Sequence, residues 1–104
     1  MVSLNQEKER KFFIGVCNLD LHIHHCQSLK EKRRVIKSLE EKLKNRFNIS
    51  CCEFGDLNLW QRAQLAAITC SNEMNVVNSV MKAIIKFIEQ HSSVTIVSSE
   101  CRIL

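Results

Sequence analysis

The 104-residue sequence contains no proline and no tyrosine, and its only glycines are Gly15 and Gly55. Long irregular loops are therefore unexpected, because proline and glycine are the residues that most often interrupt regular structure. No apolar run reaches the ~18–20 residues that a membrane-spanning helix needs. The segment Met1–Lys11 also lacks an apolar stretch of signal-peptide length. We therefore expect a cytoplasmic protein without a membrane segment.

Sequence signatures of catalysis and of metal binding are also scarce. His22, His24, His25 and Cys26 could supply zinc ligands, but they lack the paired C-x₂-C or H-x₃-H spacing of structural sites. On a strand, His22 and His24 would share a face while His25 points away. A pair such as Asp20 with His22 has no third group to orient it, and no glycine-rich loop could hold a phosphate. We predict a protein that is not an enzyme and has no cofactor and no metal site.

The six cysteines allow two interpretations. In a small secreted protein they would indicate a disulfide framework. In a cytoplasmic protein, free thiols behave as small hydrophobic side chains, and this is the interpretation that we favour. Cys51 and Cys52 would alternate across a strand and are expected to be core or edge residues.

The length favours one hydrophobic core, because typical domains have ~100–150 residues. We expect residues 1–11 to form a flexible N-terminal tail and residues 12–104 to form a single domain. Periodicity predicts strands at Phe12–Ile23, Ile49–Phe54, Trp60–Cys70 and Val94–Leu104, and helices at Ser28–Phe47 and from Ser71–Glu73 to near His91. The order β-α-β-β-α-β predicts an α+β, ferredoxin-like fold, a four-stranded antiparallel sheet with two helices on one face.

Local signals refine three positions of this plan. Ser28 and Glu31 form a capping box at the start of the first helix, and Asn48 is expected to end that helix in the left-handed conformation. In the last strand the apolar phase shifts between Ile96 and Val97, which predicts a β-bulge.

Positive charge is concentrated in the first predicted helix. The segment 28–47 has eight Lys or Arg against three Glu, a net charge of +5, whereas the whole chain carries +4. With Ile36 facing the core, five cations fall on one flank, interrupted only by Glu41: Lys30, Arg33, Arg34, Lys37 and Lys44. Such a row spans ~20 Å at 1.5 Å per residue, long enough to follow several phosphates. A solvated helix face remains the alternative interpretation.

Lys32 lies on the apolar side of the same helix. Its long side chain either extends along the surface to reach solvent or meets a buried acid. The sequence alone leaves both possibilities open.

Two motifs carry a resemblance to a known family. Ser-Leu-Lys-Glu-Lys-Arg at 28–33 and Leu-Trp-Gln-Arg-Ala at 59–63 resemble the YlxP-like family of small bacterial proteins, which has no established activity. The resemblance implies a ferredoxin-like fold. It also implies a translation-related setting, because genes of this family often lie near those of transcription and translation factors. This setting and the basic helix together suggest RNA or the ribosome as a partner. The motif positions that the resemblance singles out are Ser28, Lys30, Glu31, Lys32, Arg33, Trp60, Gln61 and Arg62.

The second motif has two interpretations. We interpret Trp60 as a packing anchor, with Arg62 paired to Asp56 or Glu53. The alternative is an exposed Trp/Arg pair that binds a protein, since these residue types dominate binding hot spots.

The sheet face opposite the helices lacks aromatic residues in its two central strands, which argues against a base-stacking platform. It mixes polar groups with Ile14, Val16, Ala66 and Ile68, and an apolar face of this kind is usually covered. A second copy of the chain would cover it, which predicts a homodimer.

Two functional hypotheses follow. In the first, a non-catalytic protein binds structured RNA or the ribosome through its basic first helix. In the second, a homodimeric protein-interaction or regulatory module uses the open sheet face and the Trp60/Arg62 region.

Overall fold

The computed structural model describes residues 11–104, which form six elements in the predicted order. These are β1 (Phe13–Ile23), α1 (Leu29–Arg46), β2 (Ser50–Gly55), β3 (Arg62–Ser71), α2 (Met74–Glu89) and β4 (Val94–Ile103). The strands form one antiparallel sheet in the order β2-β3-β1-β4. The α+β, ferredoxin-like fold is confirmed. The predicted tail lies outside the described residues except for Lys11, and the single domain of residues 12–104 stays a prediction.

The core lies between one face of the sheet and both helices. Alternate residues of β1, from Cys17 to Ile23, are buried, as their apolar alternation predicted. They pack with the apolar stripe of α1 around Leu39 and with that of α2 around Ile84. Both helices therefore cover the same face of the sheet and leave its other face open.

The start of α1 follows from its cap. The Ser28 hydroxyl accepts a hydrogen bond from the backbone N–H of Glu31 at 3.0 Å, as the motif predicted. The Glu31 carboxylate reaches back one residue further than expected and accepts the N–H of Gln27 at 2.8 Å. Side chains of the capping motif therefore accept hydrogen bonds from backbone N–H groups at the start of the helix.

The end of α1 differs from the prediction. Asn48 was expected to be left-handed, but only His25 and Asp56 have a positive φ among the residues 11–104. The chain leaves the helix at Phe47 in an extended conformation, and the Phe47 ring packs edge-on against Phe87 with centroids 6.1 Å apart. The helix therefore ends in an extended residue whose ring packs against α2, and not in a left-handed turn.

Each edge strand contains a bulge. In β4, Ser98 pairs with Asp20 and Ile96 pairs with Leu21, which leaves Val97 as the extra residue. The predicted bulge is therefore confirmed. A second, unpredicted bulge lies at Phe54 in β2, where the register against β3 shifts between Glu53 and Gly55.

Candidate nucleic-acid interface

One flank of α1 presents the predicted row of cations, which we call the basic flank: Lys30, Arg33, Arg34, Lys37 and Lys44. All five residues are exposed. None of them forms an ion pair with a carboxylate among residues 11–104. The structure therefore places the row on open surface, while its role in binding stays a prediction.

The C-terminal end of the basic flank, at Lys44, lies close to β2, an edge strand of the sheet. Its inner border is Glu40, where burial raises the pKa of the carboxyl, Lys44 opposes that shift and Glu53 of β2 adds to it. Glu40 and Lys44 also act on Cys51 of β2, whose thiol pKa is raised, first by burial. The Lys44 end of the row therefore lies near β2, whereas Arg34 lines a cleft with His24, His25 and Cys26.

Lys32 resolves the question that the sequence left open, because it meets a buried acid. The Lys32 side chain is 1% exposed, and its ammonium lies 2.9 Å from a carboxylate oxygen of Glu53, whose side chain is 16% exposed. The ammonium also donates to the backbone carbonyl of Asp56 at 2.6 Å. Lys32 thus connects α1 to the end of β2 and contributes nothing to the exposed charge.

Each of the two family motifs contacts the segment that precedes the other motif. The backbone N–H of Ile23 donates to the Gln61 carbonyl at 2.9 Å, and the Gln61 side-chain amide donates to the Cys26 carbonyl at 3.1 Å. Lys32 holds the other end of the same loop at Asp56. The β2–β3 loop is therefore attached to the segment that leads into α1, next to the first cations of the basic flank.

That loop exposes apolar side chains, and the packing-anchor interpretation of Trp60 is wrong. Leu57, Leu59 and Trp60 retain 54%, 51% and 51% of their accessible surface. Their loop is fixed by polar contacts of its neighbours, so the apolar side chains remain outside the core. The predicted strand at Trp60–Cys70 begins only at Arg62, so Trp60 belongs with Leu57 and Leu59 to the loop that follows the turn at Gly55 and Asp56.

The predicted partner of Arg62 was also wrong. Its guanidinium lies 2.6 Å from the carboxylate of Asp20 on the neighbouring strand β1. Glu53 forms its ion pair with Lys32, and the Asp56 carboxylate accepts a hydrogen bond from the side-chain amide of Gln64 at 3.0 Å. Arg62 pairs in register with His22, and Asp20 lies two residues before His22 on the same face of β1, which places this acid diagonally across from Arg62.

His22 and His24 share a face, as predicted, but β1 ends at Ile23, and His25 adopts a positive φ of 56° in the following turn, with its ring centroid 6.3 Å from that of His24. His22 and His24 stack edge-on with ring centroids 5.2 Å apart, and His24 is hydrogen-bonded to the Thr95 hydroxyl at 2.6 Å. Among residues 11–104, no group of three or more His, Cys, Asp or Glu side chains is arranged to hold a metal ion.

The open face of the sheet has an apolar end and a polar end. The register places Val16 beside Ile68, and Ile14 beside Cys70, at one end. At the other end Asp20 lies opposite Gln64 in the register and forms an ion pair with Arg62. Ile68 is 45% exposed, so the apolar end is open to solvent.

No helix within residues 11–104 is long and apolar enough to cross a membrane. The fold and the site thus define a small α+β protein with a basic helix flank, and its two motifs converge beside that flank.

A family model described as "Protein of unknown function (DUF503)" matches residues 14–101, and the chain belongs to this family. It is similar to "Uncharacterized protein YlxP" of Bacillus subtilis (strain 168), with 30% identity over 76 residues. That alignment covers 73% of this chain and 83% of the relative. The predicted resemblance to YlxP-like proteins is confirmed.

Proposed function

We propose that the protein binds structured RNA, including that of the ribosome, through the basic flank and catalyses no reaction on it. The observation that carries this proposal is the exposure of all five cations without an ion-pair partner among the described residues. Each cation that neutralises a phosphate releases condensed counterions, and this release supplies much of the affinity for a polyanion.

The shape of the flank favours a helical, structured RNA. Its cations lie along one side of a straight helix, from Lys30 to Lys44, a span of ~20 Å. Phosphate contacts of this kind position a ligand without reading its sequence. The paired central positions Asn18–Ala66 and Asp20–Gln64 of the open face supply no aromatic ring for stacking, so recognition by shape is expected.

The test compares two double charge reversals of equal size. Arg33→Glu/Lys37→Glu changes the basic flank, and Lys82→Glu/Lys86→Glu changes two exposed cations of α2. We expect the flank variant to bind a structured RNA hairpin at least ~10-fold more weakly and to lose part of the salt dependence, because it loses phosphate contacts. Fluorescence anisotropy at several salt concentrations measures both quantities.

The α2 variant is the matched control, and it should keep most of the affinity. Equal losses in the two variants would show that only the net charge matters and would contradict a site on α1. Wild-type protein that shows no salt-dependent binding to any structured RNA would contradict the proposal as a whole.

A second candidate function, a homodimeric interaction module, is favoured by the exposed apolar end of the open face. Ile68→Glu places a charge at the centre of that end, whereas Thr95→Glu places one at the polar end. If two copies associate through this face, Ile68→Glu should convert a dimer to a monomer in sedimentation equilibrium and Thr95→Glu should not. A wild-type monomer at micromolar concentration would exclude this candidate.

The same module would use the exposed loop at Leu57, Leu59 and Trp60, since an exposed Trp beside an Arg resembles a binding hot spot. Binding through this loop would change little with salt, unlike binding through the basic flank. The two candidate functions can therefore be distinguished by measuring how strongly the affinity for a binding partner depends on salt concentration.

A further inference from the structure

Two cysteines on neighbouring strands lie in contact. Cys17 of β1 and Cys101 of β4 are direct partners in the antiparallel register. Their sulfur atoms are 2.9 Å apart. Cys17 is completely buried, whereas Cys101 is exposed on an edge strand. The thiol of Cys101 is therefore open to solvent, and the buried thiol of Cys17 lies beside it on the neighbouring strand.

The backbone geometry suits a covalent bond between them. Directly opposed residues of antiparallel strands have Cα atoms about 4.5–5.5 Å apart, inside the range of about 4.4–6.8 Å found in disulfides. The sulfur atoms need to approach by roughly 0.9 Å to reach the S–S bond length of about 2.05 Å. A rotation of the exposed Cys101 side chain supplies a movement of this size without a change of strand register.

The remaining four cysteines show no such arrangement. The Cys26 thiol donates to the backbone carbonyl of Ser28, and Cys51 and Cys52 lie on opposite faces of β2. Cys70 is exposed on the open face of the sheet. The pair is therefore specific to one place in the fold.

Cys101 also lines a cleft through which a small molecule can reach it. The cleft lies between α2 and the end of β4 and has a volume of about 230 Å³. Lys82 contributes a charged side chain, and Met81 and Ile85 contribute its apolar wall. A cation beside an accessible thiol favours the approach of an anionic disulfide.

We propose that Cys17 and Cys101 form a reversible intramolecular disulfide by exchange with a small anionic disulfide such as oxidised glutathione. The Cys101 thiolate attacks one sulfur of the reagent, forms a mixed disulfide and releases the first glutathione thiolate. The Cys17 thiol then loses its proton and attacks the Cys101 sulfur, which releases the second glutathione. The two protein thiols are oxidised, and one glutathione disulfide is reduced to two thiols.

The burial of the two cysteines assigns the order of these steps. Burial, and then the neighbouring Cys101, raise the pKa of the Cys17 thiol to about 12. Cys17 is therefore a poor first nucleophile. It acts second, once the neighbouring Cys101 carries glutathione as a leaving group. The bond joins the edge strand β4 to the centre of the sheet, at the edge opposite β2 and the basic flank. This inference is therefore independent of RNA binding.

The experiment uses the full chain with Cys52→Ser and Cys70→Ser, which removes the two other exposed thiols and keeps the pair. Incubation of the folded protein with oxidised glutathione should remove two hydrogens from the intact mass and link the peptides of Cys17 and Cys101. The closed loop is long, so the midpoint of thermal unfolding should rise by about 10 °C and return after reduction. The further variant Cys17→Ser should stop at a stable mixed disulfide on Cys101.

Three results would overturn the proposal. Linked peptides that involve Cys26 or Cys51 in place of the pair would show a different oxidation site. An unchanged mass and an unchanged unfolding midpoint after oxidation would show that the pair does not react. Equal glutathione incorporation in Cys17→Ser and in the additional variant Cys101→Ser would show that Cys101 is not the attacking thiol.

Discussion

Replacement of Lys32 by methionine should lower the free energy of unfolding by about 3–5 kcal/mol, the usual cost of breaking a buried ion pair by removing one partner. Methionine fills much of the same volume, so the loss comes from the polar groups that remain. The Glu53 carboxylate would lose its cation at 2.9 Å, and the Asp56 carbonyl would lose a donor at 2.6 Å. Denaturant titration of the variant and the wild type measures the difference.

The double variant Lys32→Met/Glu53→Leu separates this explanation from a loss of packing. It removes both charges, and we expect it to recover at least half of the stability that Lys32→Met loses. Lys30→Met, on the exposed side of the same helix, should change stability by less than about 0.5 kcal/mol. If the double variant were as unstable as the sum of its single changes, the ion pair would not be the cause.

Replacement of Gly15 by alanine should lower the free energy of unfolding by about 1–3 kcal/mol, the cost of overpacking a filled core. The added methyl carbon would lie 2.6 Å from Cγ1 of Val77 and 2.9 Å from the sulfur of Met81. Met81 can adjust, but Val77 is completely buried and is stiff about its first side-chain torsion. Thermal and chemical unfolding both report the change.

The compensating variant Gly15→Ala/Val77→Ala tests the close approach directly. It removes the obstructing methyl group, so its instability should be clearly smaller than the sum for the two single variants. Gly55→Ala is the matched control, because there the new carbon meets the flexible amide of Gln64, 2.8 Å away, rather than the core. Equal losses at the two glycines would argue against α2 packing closely on β1.

The fold was predictable because its local signals agree with its tertiary packing. The alternation in β1 and the Ser28 cap are confirmed, and so is the bulge at Val97, since each depends on neighbours along the chain. The end of α1 was wrong for the opposite reason. Asn48 is a local stop signal, but the chain leaves the helix at Phe47, whose ring packs against Phe87, a residue 40 positions away in the chain.

The candidate site shows the same division. Helical periodicity alone was enough to place the cations of α1 on one flank, where the structure shows them exposed. The partners of Lys32 and Arg62 depend on which acid each strand brings near, and the sequence could not rank Glu53, Asp56 and Asp20. Trp60 was misjudged because a large aromatic residue before a strand usually packs inward, whereas here its loop is held by the polar groups around it.

The irregularities at Phe54 and Val97 affect how copies of the chain can meet. An uninterrupted outer strand offers a row of free amide and carbonyl groups to any other strand, and this is a common route to aggregation. Here both outermost strands are broken by an extra residue that twists the backbone out of line. Growth of the sheet by lateral addition of further chains is therefore disfavoured at either side, which is an advantage for a small protein with three thiols and several large apolar side chains in contact with water.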